Sequence, residues 1–461
     1  MTPTPPKRAI VIGAGIGGTA TTALLSHAGL DTLLLEKNAR LGGSCSYYEK
    51  RGFHIDMGTH LFCRGPKGPL GAVLRRVGRP DRIHFVRTRD IAEVRAAHWR
   101  EDQEMVRIAV PAELHRAPGF FLNVAVQLKL TPAQISRAVR LFAHILTMSD
   151  REVEAWDHRT LDQFLLPFDL DPKTLSLFSL LLGLYFILPY WEISAGEALL
   201  CFRKMARDNH LSYPIGGAVA IPNAYCDSAR EDGAEIRTGR GVKKIAVEPS
   251  GKGYRVVGVE LDDGTFEPAD VVVSTSSLRT TVLYMVGESY FPSSYVERVK
   301  RIRGSYIAVQ AKFALDKVLV KAGALVGGVG DMEPGNLGAT DMKQAFDHFL
   351  DGRLPEVTPL YCPVPTNFDP SLAPPGHQLL TVCALAPTSD VSLVTPAKDW
   401  EQSMVDAMYR VVPGLKEHTL FVDRFSVKFI EHWIGKEFGP AVSTGQTPDQ
   451  VGSRRPPVRT P

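Results

Sequence analysis

KRAIVIGAGIGGTATTALLSHAGLDTLLLE, residues 7–36, reads as strand, glycine turn, helix and second strand. The run RAIVI at 8–12 is almost wholly apolar, as in a buried parallel strand. The turn is Gly13-Ala14-Gly15-Ile16-Gly17-Gly18, with Gly13, Gly15 and Gly18 in G-x-G-x-x-G order. The first glycine permits the sharp turn, the second lets backbone approach a pyrophosphate, and the third lets the helix close on the strand. A helix over 16–28 would aim its unpaired N–H groups and the positive end of its dipole at those phosphates. The second strand, TLLLE at 32–36, ends on Glu36, about 20 residues past the turn, where a carboxylate accepts ribose hydroxyls. Strand, glycines, helix, strand and acid in this order specify a dinucleotide site, which no one of them does alone.

Working outward, 461 residues suffice for two or three domains with a large core. Hydrophobic content of 44% and charged content of 22% are ordinary for a globular chain. A net charge of +3 gives no argument for a nucleic-acid partner, and Arg75-Arg76 and Lys243-Lys244 read as solvated faces. The six cysteines have neither C-x-x-C nor metal-like spacing, so we expect reduced thiols of a cytoplasmic enzyme and no metal site. MTPTPPKR leads into the first strand without the apolar core of a secretory signal. No apolar run reaches the ~18 residues of a spanning helix. The nearest is LSLFSLLLGLYFILPYW at 175–191, interrupted by serines, a glycine and a proline.

After Glu36 comes KNARLGGSCSYYEKRGFHIDMGTHLF. Gly42-Gly43 offers a second close backbone approach to a ligand, with the cation Arg40 nearby. E-K-x-x-x-x-G-G followed by D-x-G resembles the FAD-binding start of the amine oxidase and phytoene desaturase superfamily. The resemblance implies that Glu36 and Lys37 lie at the adenosine ribose and that Gly42-Gly43-Ser44 passes over the pyrophosphate and ribityl chain. It also puts Asp56, Gly58 and Thr59 at the cofactor. Many relatives carry Arg directly after the glycine pair where this chain has Ser44, so the pyrophosphate contact implied there is either missing or supplied by Arg40. The same D-x-G turn lies near the isoalloxazine in relatives. That makes His60 the one candidate for a flavin contact or a proton transfer, against a packed or solvated histidine.

Residues 65–117 show few clear periodic runs and read as short strands with loops, such as MVRIAVP at 105–111. From 118 to 200 the chain turns helical and apolar. In LTPAQISRAVRLFAHILTM, Pro132 starts a helix and Ile135, Val139, Phe142 and Leu146 recur at helical spacing. Two readings stand here: a helical insert with its own core, or an apolar substrate chamber with a membrane-dipping face. Residues 212–248 predict a turn at Gly216-Gly217, a helix over 219–231 and strands at 234–237 and 242–248. Residues 254–275 read as a hairpin turning at Asp263-Gly264, then a buried strand. This block resembles the Y-P-x-G-G … A-D-x-V-V segment of phytoene desaturase relatives, which implies a backbone contact from Val242 to the adenine. SYIAVQAKFAL at 305–315 alternates as a sheet strand, and GALVGGVGD reads as turn-forming or flexible. The segment YCPVPTNFDPSLAPPG resembles the family's D-P-S block and precedes a strand at 378–384. Trp400, Met404, Met408 and Val411 form a core-packing helix face.

GQTPDQVGSRRPPVRTP resembles the approach to the family's last FAD-binding element, whose strand, glycine-rich turn and closing helix follow in relatives. The reading is of a chain cut short or of a degenerate paralogue, with part of the flavin half of the site lying past Pro461. The expected fold is α/β: a Rossmann-like FAD-binding domain with a mixed-sheet substrate domain and an apolar helical insert. Its segments are 1–64 and 212–285 for FAD, 65–211 and 286–435 for substrate, and 436–461 returning to the FAD domain.

The resemblance implies FAD as cofactor and a long apolar isoprenoid substrate, with a hydride equivalent passing between an allylic carbon and flavin N5. Peripheral membrane contact accompanies that substrate class; the oligomeric state is open. Two alternatives remain: an amine oxidase-like enzyme on a polar substrate, and a non-catalytic paralogue.

Overall fold

The computed structural model describes residues 7–112, 117–172, 174–175, 185–208, 211–251, 253–330, 342–388 and 391–456. Most of the apolar stretch at 175–191 lies outside the described residues.

Strand Arg8–Ile12 sits inside a four-stranded parallel sheet, between Asp31–Leu35 and Val271–Ser274, with Glu235–Arg237 outermost beside Asp31–Leu35. Helix Ile16–His27 makes the crossover. It packs beside helix Ala220–Glu231, so the two dinucleotide-like segments of the chain build one layer. The predicted hairpin forms as antiparallel strands Val242–Ser250, Gly253–Leu261 and Phe266–Pro268. Its turn is fastened by Asp263 Oδ1, which accepts from the Thr265 N–H at 3.0 Å, and Gly264 takes φ +84°.

The second large unit is a seven-stranded sheet in the order Thr419–Phe425, Ile307–Leu315, Gln378–Ala386, Thr358–Pro363, Ala324–Gly330, Asp90–His98, Val106–Pro111. All its pairings are antiparallel except Ala324–Gly330 with Asp90–His98. One face buries Phe313, Leu380 and Val382 against Trp400, Met404 and Met408 of helix Ala397–Val411, the face its spacing predicts. The opposite face is set by register. Gln310 pairs with Cys383, Lys312 with Thr381, and Tyr361 with Cys383, so these polar side chains share one side of the sheet.

Three expectations need correction. Asp90–His98 is a nine-residue sheet strand inside a stretch read as short strands with loops. Arg95 breaks its apolar pattern, yet is buried: it pairs with both oxygens of Glu93 at 2.9 and 3.1 Å and donates to the Val411 carbonyl at 2.7 Å. Ala324–Gly330 is a buried strand, not a flexible turn. A Cβ on Gly327 would stand 1.8 Å from the Arg95 carbonyl oxygen, so the glycine is there for strand approach. Helix Pro132–Thr147 forms with a Thr131–Gln134 capping box, but it turns Leu141 and Ile145 into the insert's core. Ile135, Val139 and Leu146 of the predicted stripe face outward.

All six cysteines are free. Among the described residues, no helix is long and apolar enough to cross a membrane and no metal-ligating cluster occurs.

Candidate functional site

The glycine turn is closed from within. Gly13 adopts φ +94°, and a Cβ on Gly18 would fall 1.8 Å from the Gly13 carbonyl oxygen, so strand and helix meet through hydrogen-sized groups. Gly15 and Gly17 are different: a Cβ at either would meet nothing within 4 Å. That open space lies at the N-terminus of helix Ile16–His27, capped by Gly15. Ile16 packs inward on the core below.

Glu36 is buried at the end of its strand. Its Oε2 accepts from the Ala14 N–H at 2.7 Å and its Oε1 from the Asn38 N–H at 2.8 Å. Each oxygen keeps a second lone pair for a ribose hydroxyl. The second glycine loop folds onto the first: the Gly42 N–H donates to the Ala14 carbonyl at 2.8 Å, and a Cβ on Gly43 would lie 3.3 Å from Gly15 Cα. The Arg240 N–H donates to the Glu36 carbonyl at 2.8 Å, which brings the start of strand Val242–Ser250 to the same edge. Gly13 to Gly18, Glu36, Gly42, Gly43 and Val242 therefore converge, and the open space at Gly15 and Gly17 fits a pyrophosphate.

Other predicted contacts are directed elsewhere. Arg40 commits one of its five N–H groups to the Tyr47 carbonyl at 2.9 Å and lies over the Tyr47 ring. Lys37 Nζ reaches the His432 carbonyl at 3.4 Å, at the C-terminal end of helix Val427–Ile434. Ser44 gives its carbonyl to the Thr59 N–H at 3.0 Å, and a Cβ on Gly58 would sit 3.0 Å from that same oxygen.

Asp56 is wholly inside the fold. It accepts from the Tyr213 hydroxyl and, at 3.0 Å, from the Ala218 N–H. Asp369, of the D-P-S block, accepts from the Gly216 N–H at 2.7 Å and the Ser371 hydroxyl at 2.6 Å. Three motif blocks far apart in sequence thus meet at one junction, with the Asp56 carboxylate holding protein.

His60 is 4% exposed and sits above the polar face of the seven-stranded sheet. Its Nε2 is 3.3 Å from Lys312 Nζ, which also lies 3.5 Å from the Met57 carbonyl. Burial, and then the Lys312 charge, hold the imidazole well below its usual pKa, so it is neutral. An ammonium can only donate, so Nε2 accepts and Nδ1 carries the proton. Nδ1 makes no hydrogen bond, and Asp56 Oδ2 is 4.0 Å away.

Next to this pair, Cys63 Sγ approaches Met205 Sδ at 3.9 Å and bonds the Tyr185 hydroxyl, and Tyr361 lies within electrostatic reach of Tyr185, Cys63 and Cys383. These groups are deep in the molecule yet keep accessible surface, as the walls of an interior chamber do. Burial pushes the Cys63 and Cys383 thiols up to about 11 and Cys201 to about 12, which keeps them protonated and out of nucleophilic chemistry.

Lys312 escaped the sequence reading, although a signal existed. Gln310 and Lys312, two residues apart in an apolar strand, mark one face of that strand as something other than core.

Residues 16–413 match the family described as flavin containing amine oxidoreductase. The chain is 25% identical over 431 residues to the zeta-carotene-forming phytoene desaturase of Myxococcus xanthus, covering 86% of this chain and 74% of that one. It is 25% identical over 415 residues to the phytoene desaturase of Fusarium fujikuroi, covering 82% of this chain and 65% of the relative. An oxidoreductase from Methanosarcina mazei shares the fold, with a TM-score of 0.69 at 20% identity over 97% of this chain and 93% of that one.

Proposed function

The chain belongs to the flavin containing amine oxidoreductase family, and from that premise we propose that it desaturates, isomerises or saturates carbon–carbon bonds of a long apolar, isoprenoid-like substrate. The observation that carries this reading is the extent of the match to two phytoene desaturases, above four fifths of the chain in each case. FAD, the cofactor of the family, supplies the two-electron redox chemistry when bound. The residues present fit it. The Gly13–Gly18 turn and the helix behind it would hold the pyrophosphate, Glu36 would orient the ribose through its remaining lone pairs, and the backbone at Val242 would border the adenine. Gly42-Gly43, folded onto Gly15, would offer its backbone to the same group. His60, neutral and protonated at Nδ1, turns Nε2 toward Lys312, while Tyr185, Tyr361 and the protonated thiols exclude bulk water.

The test is purified protein, supplemented with FAD and incubated with phytoene-type polyenes and a quinone acceptor. The expected result is a yellow flavoprotein that alters the conjugated absorbance of the polyene. A flavoprotein that leaves polyenes unchanged and oxidises amines would move the assignment to the amine oxidase reading. A colourless protein that FAD does not restore would make the chain a non-catalytic paralogue.

The same reading includes contact with a lipid surface. Leu122 and Val126 of helix Ala117–Gln127 are 68% and 64% exposed, and Val139 and Leu146 extend the face on the next helix. Phe121 and Phe142, with ring centroids 5.5 Å apart, join the two helices. Exposed Lys129 and Arg140 flank the patch, the arrangement expected of a helix pair lying on anionic lipid. Leu122→Glu with Val126→Glu should cut sedimentation with anionic vesicles by about tenfold or more, since each buried side chain contributes about 1.5–3 kcal/mol. Unchanged sedimentation would remove the membrane from the proposal.

A further inference from the structure

One row of residues crosses the seven-stranded sheet on its polar face. Cys383 pairs with Tyr361, Tyr361 with Val326, Val326 with Val94, and Val94 with Ile108. Directly opposed residues point to one side of a sheet, so the wall that carries Cys383 and Tyr361 continues to the far edge. Helix Ala117–Gln127 covers it there: Val124, with Leu128 just past the helix, packs on Val94, Val106 and Ile108. Helix Ala195–Asp208 supplies the opposite wall. Its Cys201 and Met205, one turn apart, both face Cys63, the first within electrostatic reach and the second at 3.9 Å. A line of aromatic rings leads out of this space. Phe202 follows Cys201 on the same helix; its ring centroid is 5.5 Å from that of Phe142, which is 5.5 Å from that of Phe121. Phe202 and Phe142 are half-buried and Phe121 is exposed, beside Leu122 of the apolar patch. Three helices thus contribute one ring each, and every ring keeps accessible surface. A ring that only fills the insert's core does not, as Phe164 at 2% exposure shows.

We propose that the chamber opens beneath the exposed face of helices Ala117–Gln127 and Pro132–Thr147, and that Phe121, Phe142 and Phe202 form the neck through which an apolar chain passes from a lipid surface into it. This rests on the reading of the protein as an enzyme of long apolar substrates in contact with lipid. A chain that crossed water on its way to the chamber would expose its whole apolar surface, which a neck seated against the lipid avoids. Phenyl rings suit the task. Each turns about two torsions, so the rings close on one another to shut out water and swing aside for a slender chain. The neck sets how fast the chain enters and leaves, while the chamber walls set how tightly it is held.

The experiment mixes the FAD-loaded full chain with anionic vesicles carrying a phytoene-type polyene and follows the flavin spectrum by stopped flow. Phe202→Trp and, separately, Phe142→Trp enlarge a ring in the neck. Association should slow at least about fivefold and dissociation by the same factor, so that Kd stays within about twofold of the wild type. FAD content and sedimentation with the vesicles should not change. A ring with a merely structural role weakens affinity or cofactor binding and does not slow both rates alike. Phe121→Trp, at an exposed position, serves if neither of the other variants folds. Wild-type rates in the variants that fold overturn the proposal. A Kd that rises while association stays as fast as in the wild type makes these rings part of the chamber wall and also overturns it. Slow association together with lost sedimentation assigns the effect to lipid contact, and likewise overturns it. A wild-type flavoprotein that sediments with the vesicles but binds no polyene removes the apolar-chain reading itself, and the neck with it.

Discussion

Replacing Gly18 with valine is expected to give a protein that holds no FAD and melts several degrees earlier. A Cβ at this position would lie 1.8 Å from the Gly13 carbonyl oxygen and 3.0 Å from both Gly13 C and Thr275 Oγ1. The obstacle is backbone, which cannot swing aside as a flexible side chain would. The helix cannot retreat either, because Thr19, Thr22, Ala23 and Ser26 on its inner face are buried. Overpacking of this kind costs about 1–3 kcal/mol or more. Gly15→Ala is the informative companion. A Cβ there meets nothing within 4 Å, and φ is −68°, so alanine fits the protein without strain. Its methyl would instead occupy the space the pyrophosphate needs. Gly15→Ala should therefore melt within about a degree of the wild-type apoprotein while FAD affinity falls at least about tenfold. Thermal melts of the apoproteins and flavin titration separate the two. Gly15→Ala that binds FAD normally would mean that the phosphates do not lie against this turn.

The contrast between these glycines shows what a sequence can carry. Residues 7–36 were legible because each feature is local: an apolar strand, fixed glycine offsets and an acid at the next strand end. The hairpin from 253 to 268 was legible for the same reason, its turn residues standing between alternating runs. Elements whose logic is tertiary were not. Asp90–His98 hides behind Arg95, whose burial depends on a carbonyl contributed by Val411. Ala324–Gly330 reads as a loop because its glycines answer to a neighbouring strand. The Ile135–Val139–Leu146 spacing is helical, but periodicity does not say which face meets the core, and here the other one does. The same limit applies to site residues. Glu36 stands at the strand end where counting puts it, whereas the protein partners of Arg40 and Asp56, the Tyr47 carbonyl and the Tyr213 hydroxyl, are set only by the fold.

Asp56→Ala should be among the most damaging single changes in the chain. The carboxylate is the acceptor for the Tyr213 hydroxyl and the Ala218 N–H, and alanine would leave both donors buried without partners. It would also withdraw the carboxylate whose charge favours protonated Lys312. Breaking a buried charged set by removing one member costs about 3–5 kcal/mol, enough to abolish soluble expression in a marginally stable protein. Asp56→Asn retains an acceptor and should fold with a smaller loss, measurable by chemical denaturation. The pH dependence follows from the two charges. Burial raises Asp56 from 3.8 to about 6, against the opposing pull of Tyr213, Ala218 and Lys312. Its contribution to stability is therefore full below the unfolded value of 3.8 and is lost as pH rises through about 6. Burial lowers Lys312 from 10.5 to about 8, so its contribution is full above 10.5 and is lost as pH falls through about 8. Between those limits both groups are charged, with neutral His60, Tyr213 and the protonated thiols Cys362 and Cys383 around them. The stability of the wild type relative to Asp56→Asn/Lys312→Met should accordingly pass through a minimum between about pH 6 and 8 and rise on both sides. A difference that rises neither below about pH 6 nor above about pH 8 would show that burial does not penalise the charged forms of these two groups in the folded protein.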